Sequence, residues 1–84
     1  MKRLTMPVDE TGWERLASSL VKANLKLAQM SYLDLEAALS EMGLEHGQKN
    51  VSAKLKRSRI SAAFFLQCLV AAGVETIDLP RADD

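Results

Sequence analysis

Cysteine, histidine and long apolar runs are all scarce in this sequence, and each shortage excludes a class of protein. The 84 residues include one cysteine and one histidine, so no internal disulfide and no set of cysteines around a metal ion can form. His46 lies between Glu45 and Gly47 and has no second His or Cys at a ligand spacing. The apolar runs all fall short of the roughly 18 residues that a membrane span needs. We therefore expect no metal site, no cofactor and no membrane span.

The start of the chain also lacks the pattern of a signal peptide. The segment "MKRLTMPVDETG" begins with positive charge, but Pro7, Asp9 and Glu10 follow before any long apolar run. Cys68 lies within the apolar run "FFLQCLVAA" and is predicted to be a core residue. A free cysteine suits a reducing compartment, so a cytoplasmic location is the simplest expectation.

No arrangement of side chains typical of catalysis is found. A glycine-rich phosphate loop and a Ser-His-Asp set are both missing. Asp34 and Glu36 are two residues apart and so point in different directions on a helix, while Glu41 and Glu45 are separated by Gly43. We expect a protein that is not an enzyme and that has no small-molecule substrate.

Apolar residues recur at the spacing of α-helices through most of the chain. With 48% hydrophobic and 26% charged residues, the sequence is that of one globular domain, residues 1–84, with a helical core at about 12–73. Apolar steps of three and four predict a first helix from Gly12, with Thr11 as N-cap and Glu14 completing a capping box. Its predicted core stripe is Trp13, Leu16, Leu20, Ala23 and Leu27.

Three more helices are predicted, and cap residues mark most of their ends. Ser31, with Asp34 three residues later, starts the second helix, and Gly43 ends it in the left-handed conformation. A polar turn, "GLEHGQKN", leads to a third helix, and Ser61 and Gly73 bound a fourth, "AAFFLQCLVAA". The predicted fold class is therefore all-α. The predicted inward residues are Leu35, Ala38, Leu39 and Met42 in the second helix, Val51 and Leu55 in the third, and Phe64, Phe65 and Cys68 in the fourth.

Two short segments outside the helices alternate apolar and polar residues. The segments "RLTMPV" near the start and "VETIDL" near the end could form short terminal β-strands that pair within one chain or between two, with Pro7 at a strand end or edge. Surface tails without regular structure are an equally good interpretation.

The net charge of zero hides an uneven distribution of charge. Residues 46–74 contain five Lys or Arg residues and no acid, a charge of +5, so the rest of the chain carries −5. Such a patch attracts phosphates at short range, since the acidic remainder is screened beyond roughly 8 Å at physiological salt. An ordinary solvated helix face has the same composition, so composition alone does not assign a function. The five residues are Lys49, Lys54, Lys56, Arg57 and Arg59.

The helix order and a set of residues around the third helix resemble a known fold. An Asn, a Lys-Leu pair, an Arg, a Ser and a Phe-Phe pair occur in that order, and residues 31–74 resemble the lambda-repressor-like helix-turn-helix domain of the Cro/C1 type. Within that group the pattern is most similar to a small bacterial domain family with no assigned activity. The resemblance implies a domain of four to five helices. The matching residues are Asn50, Lys54, Leu55, Arg57, Ser61, Phe64 and Phe65, while Ser58 stands where the family has Gly.

The wider fold implies sequence-specific binding of double-stranded DNA by a small transcriptional regulator, with helix three (about 48–57) in the major groove. Side chains in its first turn would read bases, since Gln and Asn suit adenine, Lys suits guanine and a small Ala permits close approach. Cations at its far end, and the start of helix two, would contact phosphates. The base-reading candidates are Gln48, Lys49, Asn50, Ser52 and Ala53. The phosphate candidates are Ser31, Tyr32, Lys54, Lys56, Arg57 and Arg59.

Alternatives to this interpretation are open at three points. Capping alone explains Ser31, and Asn50 could be the N-cap of helix three. The turn after Gly43 is two residues longer than the tight helix-turn-helix turn, since the first inward residue is Val51. The fold could therefore serve as a protein-interaction module that has lost DNA binding.

The fourth helix gives a reason to expect a partner chain. It is apolar on every side except at Gln67, and three other helices cannot cover all of it. We therefore expect a homodimer, in which a two-fold partner covers the apolar residues near the C-terminal end. Those residues are Val70, Val74, Ile77 and Leu79.

Overall fold

The all-α fold class is confirmed by a computed structural model of the chain, which contains four helices among the residues that it describes. No strand occurs in the part of the chain that the structure describes, which comprises residues 7, 9–44, 48–57 and 59–79. In the same part, no helix is both long enough and apolar enough to cross a membrane. The helices are α1 (Glu10–Leu27), α2 (Tyr32–Glu41), α3 (Gln48–Arg57) and α4 (Ala62–Ala71).

The first helix begins earlier than the sequence predicts. Its N-cap is Asp9, whose carboxylate oxygen accepts a hydrogen bond from the Gly12 backbone N–H at 2.8 Å. The prediction that Thr11 caps the helix is wrong, because the carboxylate of Asp9 reaches the free N–H groups first and its charge favours the positive end of the helix. Gly12 also leaves room for Pro7, since a Cβ at position 12 would lie 2.9 Å from the Pro7 Cβ.

The predicted core stripe of α1 is also wrong. The buried residues of α1 are Ser18, Val21 and Leu25, whereas Trp13 is 47% exposed and Leu27 is 82% exposed. Apolar residues occupy two overlapping faces of this helix, and periodicity does not choose between them. The face that packs inward is the one from which the Ser18 hydroxyl donates a hydrogen bond to the Leu55 carbonyl of α3, at 2.7 Å.

The cap signals of α2 and α4 are confirmed. The Ser31 hydroxyl accepts from the Asp34 N–H at 3.0 Å and the Asp34 carboxylate accepts from the Ser31 N–H at 2.9 Å, which completes the predicted capping box. The Ser61 hydroxyl accepts from the Phe64 N–H at 3.0 Å. Gly43 has a φ of 84°, in the left-handed region that the predicted helix end requires.

Three helices end in the same way, with a left-handed residue followed by an apolar residue that turns back toward the core. After α2 the Leu44 N–H donates to the Leu39 carbonyl at 2.8 Å, and α1 and α4 end with equivalent bonds. Gly43 and Gly73 supply the left-handed residue after α2 and α4, but after α1 it is Gln29, with a φ of 57°. The apolar residues that follow, Met30, Leu44 and Val74, are half-buried against the core.

The core lies where the four helices meet. Leu35, Leu39, Val51, Leu55 and Cys68 are fully buried, with Phe64 and Leu69 nearly so. Phe65 is half-buried against them, as predicted, but the predicted core residue Met42 is 42% exposed. Burial raises the pKa of the Cys68 thiol to about 11.

The two terminal segments that alternate apolar and polar residues are not equally covered by the structure. Residues 74–79 form no strand, and Val74 and Ile77 pack against the core instead. Within one chain, the alternative of a segment without regular structure therefore holds, and two of its apolar residues cover helices of the same chain. Most of "RLTMPV" lies outside the described residues.

Candidate nucleic-acid interface

Helix α3 presents one apolar face to the core and one polar face to solvent. Val51 and Leu55 are both 0% exposed, which confirms their predicted inward direction. Asn50, Ala53 and Arg57 are three and four residues apart and so form a row on the opposite side of the helix. The helix is therefore held against the core by two residues, and Asn50 and Arg57 are exposed on its other side.

The end of α3 is held by a side chain from α1. Because α3 ends at Arg57, the Leu55 carbonyl has no N–H four residues later in the helix to bond. The buried Ser18 hydroxyl donates to that carbonyl at 2.7 Å. This hydrogen bond satisfies two buried polar groups and fixes the far end of α3 relative to α1.

The base-reading candidates all belong to the first six residues of α3. Asn50 is exposed, while Ser52 and Ala53 are half-buried. Asn50 is the third residue of the helix, so the alternative that it is the N-cap is wrong. Gln48 and Lys49 lie in the first turn, but their side chains are outside the described part of the chain.

The phosphate candidates on α3 divide into two groups. Lys56 and Arg57 are exposed, and the Arg57 Nε donates to the Ala53 carbonyl at 3.5 Å. Lys54 is half-buried, and its ammonium lies 4.8 Å from the centre of the Phe64 ring, over α4. Lys54 therefore lies beside the outer row, and a cation–π contact with Phe64 holds it there.

Arg59 follows α3 and contacts the first helix. Its Nε lies 3.4 Å from the Glu14 Oε2, an ion pair between two side chains of which Arg59 is 78% exposed. Both residues line a polar pocket between the start of α1 and the end of α3. The lining of that pocket also includes Arg15, which the sequence does not indicate because nothing in the local pattern connects α1 to the end of α3.

The start of α2 is organised by its capping box. The Asp34 carboxylate is held by the backbone N–H and the hydroxyl of Ser31, and these hydrogen bonds lower the pKa of Asp34. A phosphate placed at this helix end would meet that carboxylate, so the geometry favours the capping role of Ser31. Tyr32 lines a mostly apolar pocket of about 400 Å³, together with Lys22, Leu25, Lys26, Met30 and Ser31.

The connection between α2 and α3 spans residues 42–47. It is longer than the three or four residues of a tight helix-turn-helix turn, in agreement with the spacing of the sequence. Residues 45–47, with His46 among them, and Ser58 lie outside the described residues. Among the residues that the structure does describe, no three His, Cys, Asp or Glu side chains lie close enough together to hold a metal ion.

Comparison with known proteins gives one match. The family described as Domain of unknown function (DUF6471) matches residues 13–77, which include α2, α3 and α4 and all but the first turn of α1. Neither a curated protein nor a solved structure gives a significant match.

Proposed function

The chain belongs to the family described as Domain of unknown function (DUF6471), and from its own surface we propose that it is a small transcriptional regulator that binds double-stranded DNA. In this proposal α3 enters the major groove. The protein is not an enzyme and works in the bacterial cytoplasm, where its target lies. The fold assignment to the lambda-repressor-like type is part of the same proposal.

The outer face of α3 is the observation that carries the proposal. Val51 and Leu55 are wholly buried, while Asn50, Lys56 and Arg57 are exposed on the rest of the helix. No acid occurs from residue 46 to residue 74, and the segment carries +5. A surface of this kind lowers the free energy of a bound polyanion by releasing counterions from its phosphates.

The positions of the polar side chains suit the two kinds of contact that DNA offers. Asn50 is exposed in the first turns of α3, and Asn can bond both adenine groups in the major groove. Lys56 and Arg57 are exposed at the other end, where cations position a protein on phosphates without reading sequence. A ten-residue helix is about 15 Å long, comparable with the roughly 12 Å width of the groove.

Selection from a random library of duplexes tests specific reading. An enriched motif supports the proposal, and recovery of unrelated sequences contradicts it. Asn50→Ala should then relax the preference at one base pair by about 1–3 kcal/mol. Because Asn50 is exposed and is not a cap, the melting temperature of the Asn50→Ala variant should match that of the wild type.

A double charge reversal tests the phosphate contacts. Lys56→Glu/Arg57→Glu should weaken binding to all duplexes and reduce the slope of log affinity against log salt by about two. The matched control is Lys22→Glu/Lys26→Glu, which makes the same charge change on α1. Absence of duplex binding by the wild type at about 50 mM salt, or equal effects of the two variants, would count against DNA binding. Arg59 is left unchanged, since a Glu there would face the Glu14 carboxylate.

We propose also that the protein is a homodimer, through α4. Leu66 and Val70 are four residues apart on this helix and are 58% and 61% exposed. Val74 and Ile77, which were expected to need a partner chain, pack against the core of their own chain instead. Two copies of the α4 face, related by a two-fold axis, would remove the exposed apolar side chains from water.

Light scattering at micromolar concentration tests the dimer. The wild type should have twice the 9.2 kDa mass of the chain, and Leu66→Lys/Val70→Lys should have the mass of one chain. A wild-type mass near 9.2 kDa refutes the dimer. A dimer that binds no duplex supports the second candidate function, a protein-interaction module, for which the exposed α4 face is the specific observation.

A further inference from the structure

A polar pocket lies between the start of α1 and the end of α3. Its volume is about 370 Å³. Four of its six lining residues are cations and one is a carboxylate, and they come from two elements that are far apart in sequence. The lining residues are Thr11, Glu14, Arg15, Lys56, Arg57 and Arg59.

The charges around this pocket are not balanced. Glu14 forms an ion pair with Arg59 at 3.4 Å. Within the described chain, no ion pair with a carboxylate is formed by Arg15, Lys56 or Arg57. Mutual repulsion of cations in a concave site disfavours the empty pocket and favours an anion that several donors can share.

The shape and position of the pocket favour a phosphate of a DNA strand. Arg57 lines the pocket and also belongs to the outer row of α3 with Asn50. The two residues are about 10 Å apart along the helix axis. A base contact by Asn50 and a backbone contact in the pocket can therefore be made on one duplex, because groove edges and phosphates lie about that far apart.

We propose that this pocket binds a backbone phosphate of DNA and that Arg15 is one of its ligands. The inference rests on the proposed function and extends it to a residue of α1, outside the two helices that resemble a helix-turn-helix. Arg15 and Arg57 supply forked N–H donors to the phosphate oxygens, and Lys56 adds charge. Glu14 holds Arg59 by an ion pair before DNA arrives, and it opposes the phosphate by its own charge.

The salt dependence of binding by an Arg15 variant tests the pocket. Binding of a fluorescent 20-base-pair duplex is followed by anisotropy from about 50 to 200 mM salt for wild type, Arg15→Gln and Lys26→Gln. Arg15→Gln should bind more weakly with a salt slope reduced by about one, so wild type loses about 3.5-fold more affinity than this variant across that range. Lys26→Gln removes the same charge from the other end of α1 and should keep the wild-type slope.

The outcomes separate this inference from the proposed function. If the wild type binds the duplex and Arg15→Gln keeps the wild-type slope, the pocket proposal is overturned and DNA binding stands. If the wild type binds no duplex, both are overturned. Arg15→Lys keeps the charge and should restore the slope, and equal melting temperatures exclude a folding defect in Arg15→Gln.

A second variant tests the opposing role of Glu14. Glu14→Gln removes the carboxylate from the pocket and should tighten binding to all duplexes by about 1.4-fold to at most about fivefold, the range that corresponds to the strength of contacts between exposed charges. Glu75→Gln makes the same change of net charge in the C-terminal segment and should have a smaller effect. Weaker binding by Glu14→Gln would mean that the Arg59 pair is needed to shape the site, against the proposed role.

Discussion

Ser18 is the buried residue whose polar atom matters most for the position of α3. Its side chain is 1% exposed and its hydroxyl bonds the Leu55 carbonyl. Ser18→Ala should reduce the free energy of unfolding by about 1–3 kcal/mol, because the carbonyl is left buried without a donor. Urea denaturation measures this effect.

The neighbour of Ser18 is the control for that measurement. Ser19 is exposed on the same helix, and Ser19→Ala should change the free energy of unfolding by less than about 0.5 kcal/mol. Equal effects of the two substitutions would show that the hydrogen bond to Leu55 contributes nothing.

Because its thiol is buried, Cys68 should make the folded protein less stable in alkaline solution. An unfolded thiol ionises near pH 9, whereas burial keeps the folded thiol protonated up to about pH 11. The unfolded state therefore releases its proton first, and the free energy of unfolding falls as the pH rises between these values. The thiol alone should lower it by about 1 kcal/mol between pH 8 and pH 10.

Comparison with Cys68→Ala isolates the thiol from the other groups that titrate in this range. The alanine variant is less stable at pH 8 because it leaves a cavity. The difference between the two proteins should shrink by about 1 kcal/mol at pH 10. Parallel curves of unfolding free energy against pH would contradict a buried, protonated Cys68.

At the level of the helices, the end of α1 differs from the ends of α2 and α4. Gln29 takes the left-handed conformation that Gly43 and Gly73 take elsewhere, and a side chain in that conformation costs about 1 kcal/mol or more. Gln29→Gly should therefore raise the melting temperature by a few degrees, an effect of about 0.5–1 kcal/mol. Ala28→Gly, at an ordinary helical conformation, should lower it.

The helices differ in how well the sequence predicts them, for a physical reason. Signals for α2 and α4 are local, since Ser31 and Ser61 bond N–H groups three residues away and glycines end both helices. These helices were predicted correctly. The inward face of α1 was not, because two apolar faces compete and the choice depends on a contact between Ser18 and another helix.

In the candidate site, too, local features can be predicted from the sequence, whereas contacts between helices cannot. The bounds of α3 and its inward residues, Val51 and Leu55, follow from the sequence. Arg15 does not follow, because it meets Arg57 and Arg59 only after α1 and α3 pack together. The ion pair of Arg59 with Glu14 was missed for the same reason.

At the level of the whole molecule, the proposed DNA binding would let one chain place one short helix in the groove, which contacts few base pairs. Two copies joined through α4 would read two half-sites about one helical turn apart, roughly 10 base pairs. The enriched motif from library selection should therefore be a palindrome. Selection with the Leu66→Lys/Val70→Lys variant should enrich a single half-site. If it enriches a palindrome instead, the dimer contact lies elsewhere on the protein.

The half-exposed indole of Trp13 gives the protein an optical reporter. It is the single tryptophan of the chain, and it directly precedes Glu14 and Arg15, which line the polar pocket. Because water already reaches the indole in the native state, its wavelength of maximum fluorescence emission should change little on unfolding. A phosphate bound in the pocket as proposed would lie against the turn of α1 that carries Trp13, so its charge should alter the indole emission and unlabelled protein should signal occupancy of the pocket.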